Sequence, residues 1–555
     1  MSVMTNKYPF LKIHLKEPFG YADGPIENTI YRDLETFDKV DDEKSLYNYL
    51  EGKITDWPTL YHYSWERCNI LKPIDWDDSH KVLELGCGTG VLTHYLCQRV
   101  SEVVAVEGSA IRASCAAARC KKFNNVEIHV ANFFEFDFVQ EFGLNSFDKI
   151  TLIGVLEYSP VFADGDTNGI DRLLRVCHQL LKSDGELIIA IENKVGLKYL
   201  LGFEEDHIGA PFYGIEDMYS RNQPITYSEV GLRSVLTQNG FNGINFQYCF
   251  PDYKLPCLIW KGDPRGQQKF YNLLQNLTYR MEFINYSGAQ RPKVDVSRTM
   301  RTMLEAGIFN QVANSFLVTA SKNGSSQSEC QAYFYPYNRK FEYSSELHFE
   351  FNGDQVNALK SWVGVNGDNE ILHHKKEGSE KLTFRDGINL AILLEDLRIK
   401  DDASRFKGLF DRWLMEIQQY AAKGSLNFDM MPHNFILGEG EDLHIIDCDE
   451  YTSSKHLSVT SIVYRFFLYN PHNFEYYKKV TGRDLSTIHE LLRSMNLDGD
   501  SKDLLSVDSI EDFIKSKIRK TDLTTLFVKK GANTNVRKTL LRRIRDKLLS
   551  LIQGF

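Results

Sequence analysis

What this chain lacks narrows its chemistry before any motif is read. Its ten cysteines (Cys68, Cys87, Cys97, Cys115, Cys120, Cys177, Cys249, Cys257, Cys330 and Cys448) include no Cys-x-x-Cys pair, so neither a zinc ribbon nor a dithiol redox centre is encoded. Scattered thiols of this kind read as small core residues in a reducing compartment. There is no run of about 18 apolar residues able to span a bilayer, and residues 1–8 contain no apolar segment of a secretory signal, so a cytoplasmic chain is expected. Positive charge is scarce as well. The 65 Lys and Arg face 75 Asp and Glu, and the net charge of -10 argues against general nucleic-acid binding, which calls for a basic face. Internal repeats and low-complexity segments are absent too.

What is present is ordinarily globular, with 43% hydrophobic and 25% charged residues. A length of 555 residues exceeds one core and suggests about three folding units. The most informative stretch is Val82-Leu-Glu-Leu-Gly-Cys-Gly-Thr-Gly90, an apolar strand running into Gly86, Gly88 and Gly90. Residues without Cβ let the chain turn tightly after a parallel strand and come close to a ligand. The dinucleotide fingerprint spaces its glycines at first, third and sixth places to receive a pyrophosphate. Here the turn is headed by Glu84, which suits a cofactor carrying an ammonium group and would repel a diphosphate. Glu107, at the end of the next apolar strand, can accept hydrogen bonds from both ribose hydroxyls. Together these features point to S-adenosylmethionine.

From His80 to Trp260 strands and helices alternate: strands at 82–86, 103–107, 126–130, 148–154 and 186–192, helices at 91–99, 109–121 and 168–182. The alternation predicts an α/β, doubly wound Rossmann-like parallel sheet. A helical linker at 263–312 separates this unit (76–262, after an amino-terminal extension 1–75) from strand-like runs at 315–319, 331–335 and 346–351 and helices over 384–422. The second unit reads as an α+β bilobal domain over 313–480, followed by a helical carboxyl-terminal region, 481–555.

Ligands of such sheets sit at the carboxyl edge, so Glu157 and Tyr158, at the end of the fourth strand, are expected to face the sulfonium. Transfer to a hydroxyl needs in-line positioning and a general base. The segment after the last clear strand supplies His207 as the candidate base, with Asn193, Lys194, Lys198 and Glu205 as candidate acceptor contacts and Glu204 and Asp206 nearby. Asn132, following Val130-Ala131, is placed to meet the adenine amine, since an amide oxygen can accept that bond.

The strings Tyr63-Ser-Trp-Glu-Arg-Cys-Asn-Ile-Leu-Lys-Pro73, Val106-Glu-Gly-Ser109, Leu152-Ile-Gly-Val-Leu-Glu-Tyr158, Glu192-Asn-Lys-Val-Gly-Leu-Lys-Tyr199, Glu205-Asp-His207 and Pro251-Asp-Tyr-Lys-Leu-Pro256, with the glycine turn, resemble the class I S-adenosylmethionine-dependent methyltransferases of bacterial surface-polysaccharide and O-antigen synthesis. The resemblance covers residues 55–260. It implies a methyl acceptor that is a sugar or sugar phosphate, in a lipid-linked polysaccharide.

A second constellation lies further on. Asp429 stands five positions before Asn434, and Asp447 thirteen positions later, after a short apolar run. In phosphotransferases an aspartate so placed takes the proton of the attacking hydroxyl, the asparagine holds Mg2+, and the later aspartate bridges metal and phosphates. The segment resembles the aminoglycoside-phosphotransferase-like kinases, which implies ATP and Mg2+ as cofactors. Asn427 stands where that family has histidine, no glycine-rich loop is visible, and Lys360 is the candidate phosphate contact. The order of the two units resembles that of O-antigen chain terminators, which phosphorylate and then methylate a chain end. Two alternatives stay open: a catalytically dead kinase-like docking module, and a scaffold that retains S-adenosylmethionine without catalysis. Finally, 536–552 is a basic amphipathic stretch, with Leu540, Ile544, Leu548 and Ile552 on one face. It suits an anionic membrane surface, a polysaccharide-synthesis partner or its own domain, and makes a peripheral position at the inner face of the membrane an expectation. The oligomeric state is open.

Overall fold

The computed structural model describes residues 7–14, 24–163, 168–279, 281, 294–324, 330–336, 339–353, 355–363, 378–446, 457–482, 487–495 and 497. Apolar β-branched runs build the centre. Five strands, β2 (Lys81–Leu85), β3 (Glu102–Glu107), β4 (Val126–Val130), β5 (Phe147–Ile153) and β6 (Leu181–Glu192), run parallel in the order β4-β3-β2-β5-β6. A three-residue strand β1 (Leu11–Ile13) adds to the β4 edge. Helices Val91–Cys97 and Ala110–Arg119 cover one face, and Gly169–Leu180 and Glu229–Gln238 the other. Valines and isoleucines of the strands are buried on both faces, as a doubly wound sheet requires. The predicted element positions hold to within a few residues over 82–192.

Beyond β6 the structure departs from the sequence reading. Strand β7 (Gly243–Phe250) does not pair with β6, because β9 (Ser315–Ser321) inserts between them, antiparallel to both. The run at 315–319, expected to open a second domain, therefore completes the first sheet. It was misplaced because adjacency in a sheet is not adjacency in sequence. The sheet then continues through β8 (Leu258–Lys261), β10 (Cys330–Phe334), β11 (Ser345–Asn352), β12 (Gln355–Trp362) and β13 (Ser379–Leu382), all antiparallel. The strand-rich segment is thus an extension of the first sheet, and a distinct bilobal kinase-like domain is not supported.

The stretch 263–312 is likewise more than a linker. Helix Gln268–Tyr279 buries Phe270, Leu273, Leu274 and Leu277, and helix Val296–Glu305 buries Met300 and Leu304, all in the core beneath β7 to β11. The same helices grip the carboxyl-terminal part. Asn276 donates to the Gly387 carbonyl at 3.0 Å and accepts from the Asn389 amide at 2.9 Å, while Arg301 pairs with Asp396 at 2.9 Å. That part has its own core. Helices Leu390–Ile399, Ala403–Ala422, Val459–Tyr469 and Pro471–Thr481 pack Phe406, Phe410, Trp413, Phe466 and Tyr477 beside a small sheet of β14 (Ile388–Asn389), β15 (Phe435–Leu437) and β16 (Leu443–Ile445). Nine cysteines are described, and none is in a disulfide; eight are buried. Among the described residues no helix is long and apolar enough to cross a membrane. The basic stretch 536–552 lies outside the described residues.

Candidate functional site

The chain passes from β2 to β3 and β4 on one side and to β5 and β6 on the other, so a crevice opens beyond the carboxyl ends of β2 and β5, where ligands of such sheets bind. A cavity of about 340 Å³ occupies it, lined by the glycine turn, Glu84, Glu107, Asn132, Tyr158 and His207 among others. The three glycines have three different reasons. A Cβ on Gly86 would lie 2.4 Å from Val155 Cγ2, and one on Gly90 2.6 Å from Ala116 Cα. These two serve the packing of turn against strand end and helix. Only Gly88, at φ +54°, would point a Cβ into open space, with nothing within 4 Å. That space belongs to the cavity, so Gly88 is where a side chain would displace a ligand.

Glu107 is tied down by two backbone amides, Gly88 N–H at 2.8 Å on Oε2 and Ser109 N–H at 2.8 Å on Oε1. Each oxygen keeps a second lone pair, so a vicinal diol still has two acceptors. Burial raises the Glu107 carboxyl, opposed by these amides and by Arg112. Glu84 is 3% exposed, and burial pushes its carboxyl up to about 7 despite a 2.6 Å hydrogen bond from Thr93. A buried acid with no cationic neighbour in hydrogen-bond reach among the described residues suits an ammonium ligand, which would restore its ionised form. Asn132 Oδ1 accepts the Phe134 amide at 3.1 Å and keeps one lone pair toward the cavity it lines. The residues present therefore fit the ribose diol, the ammonium and the adenine amine of S-adenosylmethionine.

At the other end of the cavity sits His207. Its Nδ1–H donates to Glu205 Oε1 at 2.8 Å, and Nε2 faces Glu157 Oε1 and Glu192 Oε2, each at 3.8 Å. Glu205 is itself held by the His207 and Ile208 amides at 2.8 and 2.7 Å. Desolvation alone would lower the imidazole; the Glu192, Glu157 and Glu205 carboxylates overcome it and raise His207 well above its usual value. Burial raises Glu157, whereas for Glu192 the Lys254 ammonium overrides burial and lowers it. Against desolvation, Lys198 at 2.8 Å and Lys254 at 2.6 Å hold Asp206 far below the usual carboxylate range. Tyr158 stacks on Phe162 and sets its ring edge-on to His207 at 5.2 Å between centroids.

The sequence-derived positions thus divide. His207, Tyr158, Glu84, Glu107, Gly88 and Asn132 line the cavity; Glu205 meets His207 at Nδ1 and Glu157 faces it at Nε2. Lys198 braces that wall through Asp206. Asn193 is fully buried and donates 2.8 Å bonds to the Gln311 and Ala313 carbonyls, so its amide anchors the approach to β9 instead of meeting an acceptor. Lys194 turns to Asp217 at 2.6 Å, away from the cavity lining. Residues not among the sequence-derived site candidates that also line the cavity are Trp57, Tyr61, His62 and Arg67, from the amino-terminal extension, and Tyr253 and Lys254. The aromatic density of 57–65 was the available signal.

In the carboxyl-terminal part, Asn434 Nδ2 donates to the Asp429 carbonyl at 2.8 Å, and the Asp429 amide donates to Asn427 Oδ1 at 2.8 Å. Asp429 is nearly buried and has Arg465 at 3.6 Å. Lys360 is buried on β12 with its ammonium 4.6 Å over the Trp362 ring. Asp447, expected to complete the metal site, lies outside the described residues.

Comparison with known proteins bears on the segment that carries the glycine turn. Residues 83–187 match the model of a methyltransferase domain. The ubiquinone biosynthesis O-methyltransferase of Pseudomonas aeruginosa is 26% identical over 164 residues, covering 27% of this chain and 66% of that enzyme. The ribosomal RNA small subunit methyltransferase A of Syntrophus aciditrophicus is 32% identical over 90 residues, covering 16% of this chain and 32% of that enzyme. This chain thus spans just under two thirds of the first relative and about a third of the second. A solved S-adenosylmethionine-dependent methyltransferase from Archaeoglobus fulgidus is 15% identical, with a TM-score of 0.29, covering 47% of this chain and 95% of that one. Glycine turn, acidic second strand, parallel sheet and matched segment coincide on one stretch: the chain carries a class I, Rossmann-like S-adenosylmethionine-dependent methyltransferase domain.

Proposed function

We propose that the chain is an S-adenosylmethionine-dependent O-methyltransferase whose acceptor is a sugar or sugar phosphate of a surface polysaccharide. The observation that carries the reading is the adjacency, in one cavity, of the Glu84–Gly88–Glu107 cradle and the His207 imidazole with carboxylates behind it. The cofactor supplies an electrophilic methyl group when bound. The chain's part is to hold the acceptor oxygen in line and to manage its proton, tasks that fall to Tyr158 and His207, with Glu205 at Nδ1 and Glu157 at Nε2 of the ring. Trp57 and Tyr61 at the cavity rim, 5.5 Å apart between ring centroids, suit the C–H face of a sugar ring. The net charge of -10 weighs against an RNA acceptor. Incubation with methyl-labelled cofactor and extracted lipid-linked polysaccharide tests the reading: label in the carbohydrate fraction is expected, and label confined to quinol or RNA offered in parallel would refute it.

One observation favours a second, finer reading, in which the carboxyl-terminal part is a nucleotide-binding, kinase-like module. The bond from the Asn434 side chain to the Asp429 backbone carbonyl, beside the small sheet β14–β16, keeps the two positions of the phosphotransferase-like spacing close together. Arg465 beside Asp429 speaks for the inactive version of that module. ATP with Mg2+ should raise the melting temperature if it binds nucleotide. An unchanged melting curve leaves a docking module, and methyl transfer at full rate without ATP removes the chain-terminator version.

A further inference from the structure

The ends of β5 and β6 and the loop beyond them bring Glu157, Glu192 and His207 together, each offering a ligand atom within 4.8 Å of the other two. The 3.8 Å separations from His207 Nε2 to the two carboxylate oxygens are too long for hydrogen bonds. They exceed by under half an ångström the spacing of about 3.4 Å that two ligands adopt around a tetrahedral ion with bonds near 2.1 Å. Both oxygens of Glu157 and Oε2 of Glu192 are buried without a hydrogen-bond partner, on side chains that are fully inaccessible. A buried carboxylate left without any donor is a costly arrangement unless something else meets it.

Charge leads to the same place. Glu157, Glu192, Glu205, Asp206 and Asp252 are five carboxylates around two ammonium groups, Lys198 and Lys254. With all five carboxylates ionised, a protonated His207 would still leave two negative charges unmatched, whereas burial raises Glu157 and Asp252 in the absence of a further cation. The ring is also prepared: Nδ1–H is committed to Glu205, so Nε2 is the nitrogen an ion would take in exchange for its proton, as in carboxylate-backed metal-binding histidines. Lys254 occupies the far oxygen of Glu192 and leaves Oε2 on the His207 side.

We propose that Glu157, Glu192 and His207 bind one divalent first-row ion of the Mn2+ or Zn2+ type, at the inner wall of the cofactor cavity. One imidazole nitrogen and two carboxylates form a donor set that both ions accept. Because His207 lines the cavity, an acceptor oxygen could reach the ion's open position. Its use in methyl transfer rests on the function proposed above; its presence does not.

The test is a calorimetric titration of the tag-free full chain, freed of metal by a chelator, with MnCl2 and with ZnCl2. One ion per chain is expected, for at least one of the two metals. Glu157→Gln should weaken that binding at least tenfold while S-adenosylhomocysteine binds within twofold of the parent, which shows an intact cavity. Should Glu157→Gln fail to fold, Glu192→Asp keeps the charge facing Lys254, shortens the reach, and should show the same loss. Absence of saturable binding of either ion to the parent, or undiminished binding in the variant that folds, overturns the proposal. Methyl transfer that persists in chelator would then leave the methyltransferase reading standing by itself.

Discussion

Nδ1 of His207 and Oε1 of Glu205 lie 2.8 Å apart, and this contact decides which nitrogen of the ring is left for chemistry. Glu205 is in turn fixed by two backbone amides, so the imidazole is positioned from the loop 205–208 rather than by its rotamer alone. His207→Ala should lower turnover about 100-fold or more, the lower range for loss of an acid–base group, with S-adenosylhomocysteine affinity unchanged within a few-fold. Glu205→Gln, which keeps a hydrogen-bonding partner but removes a charge, should fall between. Steady-state kinetics alongside calorimetry check this, and a fully active His207→Ala enzyme would remove His207 from the reaction.

Glu84 should make cofactor binding proton-linked. Burial pushes its carboxyl to about 7, above the unfolded value of 4.5, so between these values the folded chain holds the extra proton. Stability from this group is therefore full below the unfolded value and declines as pH rises through about 7. A ligand ammonium favours the carboxylate, so binding of S-adenosylhomocysteine at pH 6 should release close to one proton, measured by titration in buffers of different ionisation enthalpy. Glu84→Gln should release none.

Gly90 and Asn193 should act on stability and not on chemistry. Gly90→Ala drives a Cβ to 2.6 Å from the Ala116 backbone, so overpacking of about 1–3 kcal/mol is expected, beyond the left-handed strain at φ +80°. Asn193→Ala strips donors from the Gln311 and Ala313 carbonyls and should destabilise by about 2–3 kcal/mol. Denaturant melts read both. Loss of activity in Asn193→Ala with unaltered stability would instead make it an acceptor contact.

The legibility of the sequence followed range. Within 82–192 each strand, turn and helix is local, and the spacing of Val103 to Val106 or of Gly86, Gly88 and Gly90 carries the fold directly. The pairing of β9 with β6 joins Ser315 to Glu192, across an excursion no periodicity can bridge. The same distance hid the rim: Trp57 and Arg67 reach the cavity through tertiary packing, as Arg67 does by donating to the Lys254 carbonyl at 3.3 Å. Asn193 shows the converse error. A polar residue at the active edge of a sheet suggests an acceptor contact, but the partners of its amide are backbone carbonyls over a hundred positions away.

The most direct test of the central claim is a calorimetric titration of S-adenosylhomocysteine into the full chain and into Gly88→Val. Gly88 is the one glycine of the turn whose Cβ would meet only the cavity. One-to-one binding by the parent chain and none by a folded Gly88→Val is the predicted result. No binding by the parent, or undiminished affinity in the variant, would contradict the assignment of this cavity to the methyl-donor cofactor.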